Sequence, residues 1–287
     1  MKMSGKKQFY VGGQALIEGV MMKTPNYVGA AARTPKGKIV TTKKRHVSLT
    51  AKNWILRLPF IRGIIFLGEM MVIGVKMLNW SADQQAEKKD EKLSAWETSF
   101  ALLLSLALTI ALFVLAPYYL ARFFTDTREI VFNLIDGAFR VVIFIAYLWC
   151  IGLFKDIKRM YQYHGAEHMT VHCHEAGYKL TPENVRKYSP VHPRCGTSLL
   201  MFVIIASILL FSVVRDPRWF VNVPLRIMLI PVIAGISYEL LKLSAKWPKF
   251  IIFRIIMQPG LWAQKITTHK PHKDQIEVAI AALKQVI

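Results

Sequence analysis

The chain reads as a mainly α, multi-pass membrane protein with about four transmembrane helices, a small N-terminal β-hairpin element and interfacial amphipathic helices on the cytoplasmic side. Two observations predict this. Apolar runs of spanning length recur at Phe100–Leu120, Ile130–Phe154, Thr197–Val214 and, shorter, Leu225–Leu241. The composition joins 53% hydrophobic residues to a net charge of +20, so apolar and basic residues occupy separate territories.

In chain order, the first ten residues, MKMSGKKQFY, are basic without an apolar run, so no cleavable secretory signal is expected. In Val11–Met22, Gly12, Gly13 and Gly19 bracket Gln14 and Glu18; these side chains are candidates to reach a substrate or support a site, with a tight structural turn as the alternative. Tyr27–Arg33 and Lys38–Arg45 flank Thr34-Pro35-Lys36-Gly37, which reads as a hairpin. Residues 1–53 thus form a β-element outside the membrane.

Trp54–Trp80 is apolar and long but carries Arg57, Arg62, Glu69 and Lys76. Arg62, Glu69 and Lys76 repeat every seven residues, a polar stripe that suits an interfacial or partly buried helix and makes Arg62 and Glu69 candidate supporting residues. With the charged stretch Ser81–Ser94, it makes up a unit over 54–98. A transmembrane hairpin follows over 99–154. Its second span holds Asp136 and Arg140 at i, i+4, a spacing that suits a structural pair near the membrane boundary.

Residues 155–196 are the chemically dense segment. Tyr163–Leu199 contains five of the eight histidines and two of the three cysteines. Within it, His164-x-x-Glu167-His168 places two imidazoles one helical turn apart, able to share a metal ion, with Glu167 able to take a proton from water on that ion. His172 extends the face, and His192-Pro193-Arg194-Cys195 adds further ligands in a turn. A third ligand from His192, Cys195, Glu175 or Glu239 would leave a position open for catalysis; His164, His168, His192 and Cys195 together would close a structural clip. A solvated His-rich loop is the plain alternative. A second transmembrane hairpin is expected over 197–241. The cytoplasmic amphipathic tail, 242–287, breaks at Pro259-Gly260, and its Gln264, Thr267, Thr268 and His269 either bond a substrate or cap a final helix over Lys273–Val286.

Lys and Arg crowd the region before Phe100, the segment Lys155–Gly196 and the tail, while Ala121–Glu129 and Val214–Pro224 carry two each. Both termini and the His-rich segment are therefore expected on the cytoplasmic side of the inner membrane. The basic excess fits anionic lipid headgroups; without a nucleic-acid-binding motif, no nucleic-acid partner is expected. The few cysteines form no disulfide framework.

The strings GGQALIEGVMM (Gly12–Met22), LPFIRG (Leu58–Gly63), YHGAEH (Tyr163–His168), HPRCGTS (His192–Ser198), GISYE (Gly235–Glu239) and QKITTHKP (Gln264–Pro271) resemble the signature blocks of the YqhQ-like family. The resemblance implies a multi-pass membrane protein described as a predicted metal-dependent enzyme, whose matching blocks form its site. One departure is Met169, where a lysine is expected.

The expected activity is metal-dependent hydrolysis, with zinc or a similar divalent ion on His164 and His168, Glu167 as base and Arg194 facing developing oxyanion charge. The substrate is open among a peptide bond, a lipid headgroup and an isoprenoid-type molecule. A non-catalytic membrane assembly protein with a structural metal is the alternative, and a transporter using Asp136, Arg140 and Glu239 a weaker one.

Overall fold

The computed structural model describes residues 11–86, 94–125, 130–214, 216, 218–247 and 249–287. The first ten residues and 87–93 of the charged stretch Ser81–Ser94 lie outside them.

The N-terminal element is larger than one hairpin. Strands β1 (Gly12–Leu16), β2 (Gly19–Lys23), β3 (Tyr27–Arg33) and β4 (Ile39–Arg45) form an antiparallel meander in the order β1-β2-β3-β4. The glycine-bracketed segment is itself a hairpin, with Leu16 opposite Gly19 across a turn at Ile17-Glu18. The expected β3–β4 turn is present, closed by Gly37 N–H donating to Thr34 O with Gly37 at φ 79°. Alternation gives the sheet two apolar faces. Val20, Met22 and Ala31 face helices α6 (Lys155–Glu175) and α11 (Lys273–Lys284), whereas Leu16, Met21, Val28 and Ala30 face Met77 of α2 (Ile61–Asp83). The sheet is therefore the middle layer of a helix-sheet-helix sandwich.

Helix α2 follows a short helix α1 (Leu49–Lys52) and joins the sandwich to the bundle. Its start packs on α9 (Trp219–Lys246), with Gly63 against Tyr238 and the Phe60 carbonyl against Gly235. Its end packs under the sheet at Met77 and Ser81. This is the partly buried helix that the polar stripe implies.

Helix α3 (Ala95–Ile110) starts earlier than the apolar run, because Ser94 and Glu97 form a capping box. It continues through a π-helical turn (Ala111–Leu115) into α4 (Ala116–Arg122) as one rod of 28 residues. Helix α5 (Ile130–Ile151) returns beside it. Helix α8 (Gly196–Phe211) and the 28-residue α9 form the second hairpin. Among the described residues three helices are long and apolar enough to cross a membrane, 95–122, 131–151 and 219–246, and they point to a membrane protein. The expectation of four is corrected on two counts. The run Thr197–Val214 yields the 16-residue α8, about 24 Å long at 1.5 Å per residue and short of a full span. The run Leu225–Leu241 belongs to a helix longer than expected, continuous through Pro224 and Pro231.

Where α8 ends, polar side chains fill the bundle. Arg140 and Arg226 both donate to Asp136 Oδ2, at 2.9 and 3.0 Å; Arg226 also bonds Asn222 and Asn133, and Arg140 bonds Ser207. The expected Asp136–Arg140 pair exists, but it lies inside the bundle and includes Arg226, which is 0% exposed. Helix α10 (Ile251–Thr267) packs on α8 and runs unbroken through Pro259-Gly260, contrary to the expected break, because Gly260 lets it press on Ser198. The last helix ends at Lys284 and is capped by His272 and Gln275, not by Thr267 or Thr268.

Candidate metal centre

The His-rich segment is helical for its first half. Helix α6 carries His164, His168 and His172 on successive turns, with Glu175 at its end, and after the one-turn helix α7 (Pro182–Val185) the chain folds back as the 189–195 turn beside that face. The ligand types thus form two adjacent groups.

The first group is His164, His168 and Cys195, whose donor atoms lie within 4.8 Å of one another. His164 Nδ1 donates to Thr267 O at 3.0 Å and His168 Nδ1 donates to Pro190 O at 2.5 Å. Those bonds fix both tautomers and put the lone pair of each ring on Nε2. His164 Nε2 meets Cys195 Sγ at 3.1 Å. Cys195 caps α8, its Sγ accepting from Thr197 N–H at 3.3 Å, a favourable place for a negative ligand. Two imidazole nitrogens and one sulfur, with His168 and Cys195 buried, His164 half-buried and both rings oriented through carbonyls on the far nitrogens, are a donor set that could hold a zinc-type ion, whose bonds run about 2.0–2.3 Å.

Glu167 lies beside this group, its Oε2 4.0 Å from His168 Nε2. Burial pushes its carboxyl up to about 7, with His164 acting in the opposite direction. It is lodged under β1: a Cβ on Gly13 would come within 2.7 Å of the carboxyl carbon. Burial likewise holds His168 below the ordinary histidine range.

The second group is His172, Glu175 and His192. His172 Nε2 donates to Val191 O, and His192 Nδ1 accepts from Arg194 N–H, so a neutral His192 turns its other N–H towards Glu175 Oε2, 3.5 Å away. Arg194 ion-pairs with Glu175. Although burial pushes the Glu175 carboxyl up, the His192 and Arg194 partners hold it below the ordinary range. Hydrogen bonds thus occupy the lone pair on His192 Nδ1 and set its other nitrogen as a donor, a hydrogen-bonded brace in place of a ligand set.

The remaining candidates separate into two sets. Thr267 is at the centre through its carbonyl, which His164 bonds, while Thr268 closes the end of α10 by donating to Gln264 O. Gln264, treated above as a substrate or cap residue, clasps the 192–195 turn, accepting from His192 N–H and donating to His192 O and Ser198 Oγ. Glu18 holds Arg159 bidentately at 2.5 Å and accepts from Tyr163 OH, pinning the β1–β2 turn to α6. Glu239 belongs to neither group; it pairs with Arg62 and accepts from Phe60 N–H. Glu69 binds Ser48 and Leu49 N–H, and Gln14 packs on Gly74 of α2. The structure does not bring Arg62, Glu69 or Gln14 to the His/Cys groups. Sequence reading missed Gly165, whose bare Cα lets the His269 carbonyl approach; a glycine inside a helix was its signal.

The profile of the family "Protein of unknown function (DUF1385)" matches residues 58–287. The chain is 34% identical over 296 residues to "Uncharacterized protein YqhQ" of Bacillus subtilis (strain 168), covering 96% of this chain and 92% of that protein. No solved structure matches. The matched region takes in α6, the 192–195 turn and the 264–271 segment, and the relative is aligned over almost its whole length, so the chain belongs to the DUF1385 family.

Proposed function

We propose that the chain is a metal-dependent hydrolase whose centre lies where the sandwich meets the membrane bundle, on the cytoplasmic side of the inner membrane. One observation carries this reading: His164, His168 and Cys195 make a three-donor set, with the carboxylate of Glu167 buried beside it. Catalytic zinc sites keep three protein ligands and an open position, whereas structural sites close with four. Among the described residues His192, the candidate fourth donor, falls in the other group.

A divalent ion held there, zinc being the one this donor set suits, supplies Lewis acidity and lowers the pKa of water. Glu167, as the carboxylate, takes a proton from the attacking water and returns it to the leaving group. His164 and His168 keep their orientation through Thr267 O and Pro190 O. Arg194, tied to Glu175, holds the 192–195 turn on α6. Support for the cytoplasmic side comes from the Lys and Arg residues crowded around the sandwich, which suit anionic headgroups.

The test combines elemental analysis of detergent-purified protein with hydrolysis of peptide and phospholipid probes. Wild-type protein is expected to hold one divalent ion per chain, and the His164→Ala, His168→Ala double variant none. Glu167→Gln keeps the ion and the fold and loses turnover. Unchanged metal content in the double variant overturns the ligand assignment, and full turnover in Glu167→Gln leaves a structural metal in a membrane scaffold.

A further inference from the structure

The β1 edge of the sheet, without a paired strand among the described residues, passes Glu167, and we propose that it receives the substrate: an extended peptide segment that pairs with β1 as an added strand and brings one amide alongside Glu167. The inference rests on the hydrolase reading and adds its substrate class.

Strand β1 is an end strand. Its two-residue turn makes Leu16 and Gly19 the closing hydrogen-bonded pair, which puts Gln14–Met21 and Gly12–Lys23 in the same bonded phase. Gly13 and Ala15 then turn their N–H and C=O groups away from β2. Ile17 shares that phase, and its N–H is taken by Ser81 Oγ at 3.2 Å. Among the described residues no such partner meets the outward groups of Gly13 or Ala15. Gly12 is exposed, and Gly13 to Ala15 are half-buried.

Three features select a peptide. Outward N–H and C=O groups alternate along Gly13 and Ala15, and another extended backbone answers both kinds at that repeat. A phospholipid phosphate offers only acceptors and leaves the carbonyls unmet. Gly13 is also the residue over Glu167, where a Cβ would strike the carboxyl at 2.7 Å, so the docking edge and the candidate base are in contact. A strand added at the usual spacing of about 4.8 Å follows that contact. In the reaction the amide C–N bond breaks, the water oxygen joins the carbonyl carbon, and the amine leaves with the proton that Glu167 relays.

The experiment uses the full chain in phospholipid nanodiscs, with Glu167→Gln to stop turnover, and a fluorescent mixture of acetylated heptapeptides as probe. The best-retained peptide is remade with single N-methylated amides. Methylation is expected to weaken binding about tenfold at alternate positions and little at those between. Ala15→Pro, which deletes an outward N–H without touching the ladder to β2, also weakens binding about tenfold at unchanged metal content and melting temperature. No peptide retained, a flat N-methyl scan, or a folded Ala15→Pro that binds like its parent overturns the proposal. If Ala15→Pro does not fold, the N-methyl scan on the intact chain decides alone. Metal content and wild-type phospholipid turnover are read on matched preparations. Bound metal with Glu167-dependent lipid hydrolysis and no peptide retention removes the peptide and leaves the hydrolase, whereas absent metal removes the hydrolase reading itself.

Discussion

Glu167 is a carboxyl group buried against a strand that has no side chain at the point of contact, and its acidity follows from that burial. Its folded-state value is pushed up to about 7 from an ordinary 4.5. Below pH 4.5 both folded and unfolded chains hold the proton, so this contribution to stability is fully present there. Between the two values only the folded chain keeps it, so the contribution falls as pH rises and is gone above about 7. The amount is on the order of 3 kcal/mol, at 1.36 kcal/mol per unit. His168 and His192, held below the ordinary histidine range mainly by burial, act in the opposite sense, stabilising the fold as pH rises towards 6.5. The clean quantity is therefore the difference between chelator-treated wild type and Glu167→Gln. Measured by denaturant unfolding from pH 4 to 8, that difference is expected to move against the wild type as pH rises; a flat difference means that Glu167 is not buried without a partner. The pair His164 and His168 was legible because a helix puts i and i+4 on one face. Cys195 as third donor was not, because His192, Cys195, Glu175 and Glu239 are all good ligand types whose sequence separation from the pair says nothing of reach, and only the fold tells which of them meets it.

At the scale of elements, the centre depends on segments that hold α6 from outside. The 264–269 stretch is the closest. His269 N–H donates to Tyr161 O, Thr267 O accepts from His164, and a Cβ on Gly165 would meet the His269 carbonyl at 2.1 Å. Gly165→Ala must move that backbone, at a cost of about 1–3 kcal/mol. Because Thr267 O moves with it, the variant is expected to lose metal affinity by about tenfold, in line with other outer-shell changes; a competition titration against a chelator reads it. In the bundle, Asp136 is the acceptor between Arg140 and Arg226. Asp136→Asn leaves two guanidiniums buried without their carboxylate, and an expected loss of about 3–5 kcal/mol is read as a lower melting temperature in detergent. A melting temperature equal to wild type would show that water reaches the network. Sequence reading found the i, i+4 pair but not Arg226, 90 residues from Asp136, which only the packing of α5 on α9 brings in. A proline misled it too: Pro259-Gly260 read as a break, but α10 runs on through it, packed against α8.

At the scale of the molecule, the bundle has two unlike ends. Tyr118, Ala121, Phe132 and Val223 cluster together, so the end of α4 and the starts of α5 and α9 share one level. Asn222 reaches the turn after α8, donating to Val214 O and Asp216 O, so that turn belongs to the same end. At the other end, Asn79 of α2 bonds Thr98 near the start of α3, Cys195 caps α8, and the sandwich rests on α2. The short α8 does not disturb this polarity, since its hairpin with α9 returns the chain to the sandwich side. Basic residues in the sequence follow the same division: 121–129 and 214–224 carry two each, whereas 155–196, which supplies α6 and the 192–195 turn, carries seven. A single orientation in the bilayer therefore sets the face on which substrate arrives. The check is labelling of intact spheroplasts with an impermeant maleimide–polymer conjugate, each variant compared with the parent chain to subtract exposed Cys150. Arg218→Cys is expected to gain a band shift from outside. Lys36→Cys, in the β3–β4 turn, and Lys270→Cys, beside the centre, gain theirs only after permeabilisation. Outside labelling at Lys36 and Lys270 with protection at Arg218 would turn the protein over and deliver its substrate from the opposite compartment, and labelling of all three from outside would mean that the apolar helices do not separate the two ends.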